Sequence, residues 1–575
     1  MLLGGRRPPF PRRGIAKSGA WPEFTLAQVA GGVLGYTATT YPGLAPVVNA
    51  RGATLVLGDP LFDWLRASAK PHGRTAQIVG RLRAEPLVAP AFQPFHPAAI
   101  LRCAPSVETP RGVIAELRND ALGGAPVFIA RGRGFVAISS SPDLIALATG
   151  DRLDLLACRE LVSQSRVSFP YTLYQGVREA PSGRVLTVRA GRRGLRVTYQ
   201  TPVAGALGDP IAPVVAASDA NGLVGDLMDD LFKRIRRNLG SDQTIACTLS
   251  AGLDSRMVLA SAVRIMPGKV TAITGSPDDN PELWTAREVA SRLGVRHDTA
   301  TWDPSIMVDR FRTGNGLIFG SHRRWSDGHL QGAFGIFGQP VVIGGFFSDA
   351  MMDGGDGELA LRTARIADGS IPADSHWSVI STNFLSLDAG WQRRIIRRAE
   401  AARRRLDPRF GTVSHFRYSL PATRGVFPAH WISESNEWAQ YEPFMTEGAA
   451  AIAVACEPLG GPGRKVSLFA ETLEAAGLAD IPSNPVSASH GRSRAWLAAR
   501  DVLADSPEFG PAYRRMTASA LRMLGVDGAA VRLRHLLVNV YWANRLITKW
   551  APSPDAGALK GRRGVARHPR PPRAT

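Results

Sequence analysis

Apolar positions change their spacing part-way along the chain. Over residues 20–200 they fall in short runs broken by Gly and Pro, as in ATLVLGDP (Ala53–Pro60), APVFIARGRGFVAISSSPD (Ala125–Asp143) and GRVLTVRAGRRGLRVTYQTP (Gly183–Pro202). Runs of this length predict strands, and AGRRG (Ala190–Gly194) predicts the turn of a hairpin. Helical spacing is sparse here, so a β-rich domain is expected over 20–200. Residues 201–219, TPVAGALGDPIAPVVAASD, are small, Pro-containing and nearly uncharged, and read as a linker. Beyond them Leu223, Leu227, Leu231, Ile235 and Leu239 recur every four residues with Asp and Arg between, an amphipathic helix that Gly240 stops. TIACTL (Thr244–Leu249) then predicts a buried strand, SRMVLASAVRIM (Ser255–Met266) a helix, KVTAITG (Lys269–Gly275) a strand and PELWTAREVASRLGV (Pro281–Val295) a helix ended by Gly294. Strand and helix alternating at this spacing predict a parallel sheet built from βαβ units. From about Thr363 to Met523 helical patterns dominate, including the Arg-dense WQRRIIRRAEAARRRLDPRF (Trp391–Phe410).

The stretch TLSAGLDSRM (Thr248–Met257) carries the densest candidate chemistry. A turn leaving a parallel strand for a helix exposes the first unpaired N–H groups of that helix, and the macrodipole adds partial positive charge there. Ser250 and Ser255 can donate to phosphate oxygens, while Ala251 and Gly252 let the backbone approach closely. Asp254 suits such a place if Mg2+ lies between its carboxylate and a phosphate. By itself the turn reads equally as an ordinary N-capped one.

Ser-Ala-Gly-Leu-Asp-Ser resembles the Ser-Gly-Gly-X-Asp-Ser loop of the asparagine synthetase-like family, which includes β-lactam synthetases and lasso-peptide macrocyclases. Further stretches agree in order. Residues 271–298 resemble the family's second strand and helix, with Thr274 near the adenine-contacting position. GGFFSDAMMDG (Gly344–Gly354) is similar to its Ser-Gly-Glu-Gly-Ser-Asp-Glu-X-Phe-Gly-Gly segment, YEPFMTEGAAAIAVACEPL (Tyr441–Leu459) to its Pro-Phe-Leu-Asp helix, and GPGRKVSLFAETL (Gly461–Leu473) to its Lys-containing helix. Upstream, TLYQGVREAPSGRVLTVRAG (Thr172–Gly191) resembles the end of an amidotransferase-like domain. The resemblance implies an α/β fold: a parallel-sheet ATP-pyrophosphatase domain (adenine nucleotide alpha hydrolase-like) with a helical C-terminal part, plus a β-rich Ntn-amidotransferase-like N-terminal domain. The expected boundaries are a basic disordered tail over 1–19, the degenerate amidotransferase-like domain over 20–200, the linker over 201–219, the synthetase-like domain over 220–555 and a second basic tail over 556–575.

The same resemblance implies ATP and Mg2+ as cofactors. Leu249, Ser250, Ala251, Gly252, Leu253, Asp254, Ser255, Thr274, Gly344, Gly345 and Ser348 would bind ATP and pyrophosphate, with Asp254 and Asp349 as metal ligands. Lys465 would be the catalytic cation beside Asp254 and Asp349, although neighbouring Arg464 could take its place. A substrate carboxylate would attack the α-phosphorus, and an amine would then open the acyl-adenylate.

Departures from the family pattern select among its branches. Glutamine-dependent asparagine synthetases use a first-residue cysteine, whereas the earliest cysteine here is Cys103, so glutaminase activity is not expected. Phe346 stands where those synthetases carry a glutamate, and Ala350 replaces the second acid of Asp-Glu. Phe346 and Phe347 are read as lining an apolar substrate pocket. The nucleophile is therefore expected to be an amine borne by the substrate, as in a lasso-peptide cyclase that closes an Asp or Glu side chain onto the peptide's N-terminal amine. β-Lactam synthetases use a tyrosine–glutamate pair, for which Glu434, Glu437 and Glu442 are candidates here. Implied partners are a precursor peptide, a leader peptidase and a leader-binding protein. The alternatives are an asparagine synthetase or β-lactam synthetase-like enzyme using ammonia or a small-molecule amine and, in another class, an RNA-binding or tRNA-modifying protein.

Bulk properties refine this only modestly. About half of the +20 net charge lies in the acid-free ends, and the Arg403–Arg405 run alternates with apolar residues as a solvated helix face does, so nucleic acid is not the expected partner. Cys103, Cys158, Cys247 and Cys456 show no CxxC spacing, which fits a reducing cytoplasm. No apolar run is long enough to span a bilayer, and a soluble cytoplasmic protein is expected. His297 is read as a histidine satisfied by backbone, and Asp353, Asp356 and Glu358 as part of a mobile loop.

Overall fold

The alternating runs form strands, and they assemble into two antiparallel sheets. The computed structural model describes residues 2–3, 25–29, 32–36, 41–49, 52–105, 113–132, 134–164, 167–191, 194–200, 217–276, 279–301, 341–352, 390–391, 393–395, 397–398, 439–455, 464–483, 510–526 and 535–550. In chain order come β1 (Leu2–Leu3), β2 (Thr25–Val29), β3 (Gly32–Tyr36), β4 (Val47–Asn49), β5 (Gly52–Gly58), helix α1 (Gly73–Arg81), β6 (Ala98–Pro105), β7 (Val113–Asn119), β8 (Phe128–Gly132) and β9 (Phe135–Ser139). Helices α2 (Pro142–Thr149) and α3 (Leu155–Gln164) then precede β10 (Val177–Glu179), β11 (Val185–Gly191) and β12 (Gly194–Gln200). One sheet has the order β10-β8-β9-β1-β3-β2, the other β12-β11-β7-β6-β5-β4. The predicted hairpin is β11–β12, with Val185 opposite Gln200 and Gly191 opposite Gly194.

The second half begins with α4 (Ala217–Leu239), whose Val224, Leu227, Met228, Leu231, Phe232 and Ile235 form the buried stripe that the spacing predicts. It continues through β13 (Ile245–Thr248), α5 (Leu253–Ile265), β14 (Val270–Ser276), α6 (Pro281–Arg292), β15 (Arg296–Thr301), β16 (Val341–Ile343), α7 (Ser348–Met352), β17 (Ala439–Tyr441), α8 (Glu447–Ala455) and α9 (Arg464–Ala475). The five strands pair in parallel in the order β15-β14-β13-β16-β17. Chain order therefore reverses between β13 and β16, and at such a switch point the loops leave adjacent strand ends in opposite directions and open a crevice. Helices α10 (Gly510–Leu524) and α11 (His535–Arg545) complete the described fold. No helix among the described residues is long and apolar enough to cross a membrane.

Several expectations change. Leu2–Leu3 forms a strand between β3 and β9 instead of joining a disordered tail, because two apolar residues satisfy backbone partners on both sides. The basic residues around it lie outside the described set, as does the C-terminal tail. Helix α4 starts at Ala217, inside the predicted linker, whose small residues are compatible with helix. Three helices, α1 to α3, occupy a region with little helical periodicity. They are too short to show it, and α2 is defined by its ends: Ser141 Oγ accepts the Leu144 N–H, and Gly150 closes it at φ 63°. Finally, α10 and α11 do not pack on the parallel sheet. Their Ala520, Leu524, Leu537 and Val540 join α2 and α3 on Phe128, Ala130 and Ala137 of β8 and β9, while Ile129, Val136 and Ile138 on the opposite face enter the main core.

A buried polar cluster joins the β-rich part to the parallel sheet. Asp59 accepts from both Arg74 terminal nitrogens at 2.6 and 2.7 Å, from the Tyr441 hydroxyl at 2.6 Å and from the Leu61 N–H at 3.1 Å. Arg74 also donates to Asn238 Oδ1 of α4 at 2.9 Å. Burial alone would raise the Asp59 pKa, but the Arg74 charge and the donated hydrogen bonds hold it below the usual carboxylate value. Nearby His96 is driven by burial down to about 3, so it is neutral in the fold. Glu447 at the start of α8 is pushed up to about 7 by burial and by Asp120, with Arg118 opposing.

Removing one partner from the Asp59–Arg74 pair leaves a buried charge, so Asp59→Ala and Arg74→Met are expected to destabilise the chain by about 3–5 kcal/mol in urea unfolding. Asp63 makes comparable ion pairs with Arg234 and Arg237 at the surface, and Asp63→Ala is expected to cost less than about 1 kcal/mol. The two shifted groups give opposite pH slopes. The contribution of His96 is complete above its unfolded pKa of 6.5 and is lost as pH falls towards 3; that of Glu447 is complete below 4.5 and is lost as pH rises through about 7. Stability measured against pH should therefore flatten on the acid side in His96→Gln, by up to about 1.4 kcal/mol per pH unit, and between pH 4.5 and 7 in Glu447→Gln.

Candidate active site

Three loops leave the carboxyl ends of adjacent strands β13, β16 and β17, and they carry most of the predicted site. Leu249 continues β13, donating its N–H to the Ile273 carbonyl at 2.9 Å. The turn after it is held by its own hydroxyls: the Ser250 N–H donates to Ser255 Oγ at 3.0 Å, and the Gly252 N–H donates to Ser250 Oγ at 3.1 Å. Gly252 is the residue before helix α5, with φ −77°, and no side chain caps the helix there. The helix therefore starts without a side-chain cap at Gly252, the kind of terminus that can face an anion. Ala251, where the family loop has glycine, is buried and has no left-handed φ, so its methyl costs no backbone strain.

Asp254 is the meeting point. The Ser348 hydroxyl donates to Asp254 Oδ1 at 2.7 Å, and Lys465 Nζ lies 3.0 Å from Oδ1 and 3.3 Å from Oδ2. Residues from α5, α7 and α9 thus converge although they are 94 and 211 positions from Asp254. Lys465, on the first turn of α9, is the cation seen at this carboxylate; the Arg464 and Asp349 side chains lie outside the described residues. Gly345 is required by proximity, since a Cβ there would sit 3.0 Å from the Asp254 carbonyl carbon and the Ser255 nitrogen.

The turn before Ser348 departs from the expectation that both phenylalanines line a pocket. Phe347 is 7% exposed and belongs to the main core, with Phe346 half-buried against it. Phe347 also has φ 76°, a left-handed conformation that strains a bulky residue and persists where surrounding contacts fix it. Glu442 holds the residue before Phe347. Its Oε2 accepts the Phe346 N–H at 3.0 Å, and its Oε1 accepts from Gln440 at 2.5 Å. A Cβ on Gly344 would fall 2.1 Å from Glu442 Oε1. Of the three glutamates considered from sequence, Glu442 is at the site, and Glu434 and Glu437 lie outside the described residues, as do Asp353, Asp356, Glu358 and Arg403–Arg405.

Thr274 donates its hydroxyl proton to the Leu249 carbonyl at 2.8 Å. That single proton is then committed, so His297 Nε2, also 2.8 Å away, donates to Thr274 Oγ1. His297 is satisfied by this side chain and not by backbone, and burial followed by the Arg287 charge depresses its pKa. Sequence reasoning also missed Arg256. Its buried guanidinium donates to the Ala251 carbonyl at 2.8 Å and to the Ile481 and Pro482 carbonyls at 2.7 Å, clamping the Ser250–Ser255 turn to the chain after α9. The signal was present as an Arg on the apolar face of α5, where a charge needs buried acceptors.

Gly344→Ala must displace the Glu442 carboxylate. It is expected to destabilise the chain by about 1–3 kcal/mol, and a double-mutant cycle with Glu442→Ala, read by urea unfolding, is expected to show a coupling above about 0.5 kcal/mol.

Comparison with known proteins agrees with this layout. Residues 227–313 match the family model for asparagine synthase. Proteins of Mycobacterium bovis and Mycobacterium tuberculosis, provisionally named asparagine synthetase (glutamine-hydrolyzing), are 31% identical over 186 residues, which is 31% of this chain and 28% of each relative. The match therefore spans little more than a quarter of the length of those relatives. Among solved structures, the NH3-dependent NAD synthetase of Campylobacter jejuni matches 34% of this chain and 98% of its own at 14% identity, with a TM-score of 0.19. The glutamine-dependent NAD+ synthetase of Acinetobacter baumannii matches 28% of this chain and 32% of its own at 21% identity, with a TM-score of 0.14. Likenesses of that size carry no argument, and the fold is read from the strand order itself. The matched segment, which runs from α4 through the Ser250–Ser255 turn and beyond β15, is thus similar to asparagine synthase.

Proposed function

We propose that the chain is an ATP-dependent amide ligase that releases AMP and pyrophosphate. The observation that carries this reading is the convergence of an uncapped helix start, the Ser348 hydroxyl and the Lys465–Asp254 pair at the switch point of a parallel sheet. An uncapped helix start seats an anion, here the departing pyrophosphate. The substrate carboxylate forms a bond to the α-phosphorus as the bond to pyrophosphate breaks. The amine then attacks the acyl carbon, AMP leaves, and the amine proton is lost, so amide formation removes one water in total. Lys465 is placed to stabilise negative charge that develops on the phosphates. The donor set also fits Mg2+: a carboxylate with a neighbouring hydroxyl suits an ion that takes its remaining ligands from phosphate and water. Asp254 would hold it, with Asp349 as the second ligand proposed from sequence, and the ion would neutralise phosphate charge.

For the substrate we infer a precursor peptide whose Asp or Glu side chain is adenylated and closed onto the peptide's own N-terminal amine, giving the macrolactam of a lasso peptide. Phe346 supports this, since it offers no group to handle ammonia and presents an apolar, half-buried ring beside the site. A leader peptidase and a leader-binding protein would be its partners in the cytoplasm, where the buried thiols of Cys103, Cys158 and Cys247, none of them in a disulfide, stay reduced. The names of the mycobacterial relatives favour a second reading, synthesis of asparagine from aspartate and an ammonia source.

Co-expression with a candidate precursor peptide, followed by mass spectrometry, is expected to show loss of one water with AMP and pyrophosphate formed. Lys465→Ala is expected to slow the reaction about 10²–10³-fold, and Asp254→Ala to abolish it. Formation of ADP would overturn the adenylation chemistry. Asparagine produced from aspartate and ammonium, with the peptide untouched, would select the second reading.

A further inference from the structure

The turn that presents Ser348 is held by Glu442, and Glu442 is held from the β-rich part of the chain. Its N–H donates to His96 Nε2 at 2.9 Å. His96 precedes β6 and is 1% exposed, so water does not compete for that nitrogen. A ring nitrogen that accepts carries no proton, so the imidazole is neutral with its proton on Nδ1. Asp59 acts on the ring electrostatically, the Tyr441 ring lies 5.2 Å from it, and Glu442 bonds it through its N–H; these are the charged or titratable groups seen against it among the described residues. Beyond Glu442 the path runs from its Oε2 to the Phe346 N–H, along the backbone through Phe347 to Ser348, and by hydrogen bond and ion pair to Asp254 and Lys465.

We propose that His96 is a positioning residue for the nucleotide site: by accepting the Glu442 N–H it fixes the carboxylate under Gly344 and, through the Phe346 N–H, the turn that presents Ser348 to Asp254. The inference rests on the nucleotide-site reading above. It gives the β-rich part of the chain a share in the synthetase geometry without requiring any reaction of its own. Close packing makes the link stiff, because bare Gly344 leaves no slack beneath Glu442. Phe347, next to the supported Phe346 N–H, has φ 76°, a conformation that surrounding contacts must hold.

The test uses the whole chain and three substitutions at one position. Glutamine places an amide oxygen where Nε2 lies, asparagine places its amide nearer Nδ1, and leucine offers no acceptor. Hydrogen exchange by mass spectrometry follows the peptide covering Gly344–Ser348, and Mg2+ with α,β-methylene-ATP is titrated alongside. His96→Gln is expected to keep exchange within about threefold of the parent, while His96→Asn and His96→Leu raise it about tenfold or more and weaken the ATP mimic by a similar factor. Tyr41→Phe removes another hydroxyl from the same interface, where Tyr41 donates to the Gln440 carbonyl, and is expected to leave the turn unchanged. Equal protection in the Gln and Asn variants, or a loss in Tyr41→Phe that matches His96→Leu, overturns the proposal. Should His96→Leu fail to fold, the Gln and Asn pair decides. If the parent itself does not bind the ATP mimic, the nucleotide-site reading fails, while the exchange comparison still tests the role of His96 in holding the turn.

Discussion

A single buried carboxylate fixes how the two halves of this protein meet. Asp59 takes both terminal nitrogens of Arg74, the Tyr441 hydroxyl and a backbone N–H, while Arg74 reaches Asn238 on the long helix. Two fully buried charges are expensive to desolvate, and the arrangement is tolerable because nearly every donor and acceptor in it is used. Its value is geometric. It joins the loop after β5, helix α1, helix α4 and the end of strand β17 at one point, and β17 delivers Glu442 to the candidate site. A hydrophobic contact of equal size would allow sliding between these elements, whereas directed hydrogen bonds do not.

From that fixed point the site is assembled by close approach and not by a large apolar pocket. Glycines 344 and 345 bring one turn against the Glu442 carboxylate and the start of α5. Phe347 stores strain at the same turn, and Arg256 locks the neighbouring turn from behind. In this state the Asp254 carboxylate is held by Lys465 and Ser348. On the proposed reading, a nucleotide arriving here would exchange partners already in place. Preorganised charge of this kind is what electrostatic stabilisation of a transition state requires.

Much of this layout was legible in the chain. The stripe from Leu223 to Leu239, the strand–turn–helix around Ser250 and the alternation in Gly183–Pro202 specify elements through local periodicity, and each formed as its spacing demands. In the Ser-Ala-Gly-Leu-Asp-Ser turn, hydroxyls, small residues and a carboxylate crowd six positions at a helix start, a pattern that fits an anion seat and an ordinary cap alike until the family resemblance is added. Residues such as His297 were misread because a histidine's partner is set by what lies beside it in the neighbouring strand, here Thr274, and not by its own sequence context. Phe347 was placed in a pocket on residue type alone, since nothing in the sequence reveals a left-handed backbone at a non-glycine position.

What the sequence by itself determined, then, was most of the strands, the long helix, the alternation that makes the second half a parallel sheet and the strand–turn–helix at Ser250, all of which follow from patterns within a few residues. Tertiary structure alone supplied the contacts by which Lys465 and Ser348 meet at Asp254, and it decided that Glu442 holds the Phe346 N–H and that His96 reaches Glu442 from the other half of the chain. It also decided that the C-terminal helices return to the β-rich part, covering the outer face of β8 and β9. The physical reason is common to all four. Each depends on a contact between residues far apart in sequence, and burial rewards such a contact only after the intervening chain has been fixed in place.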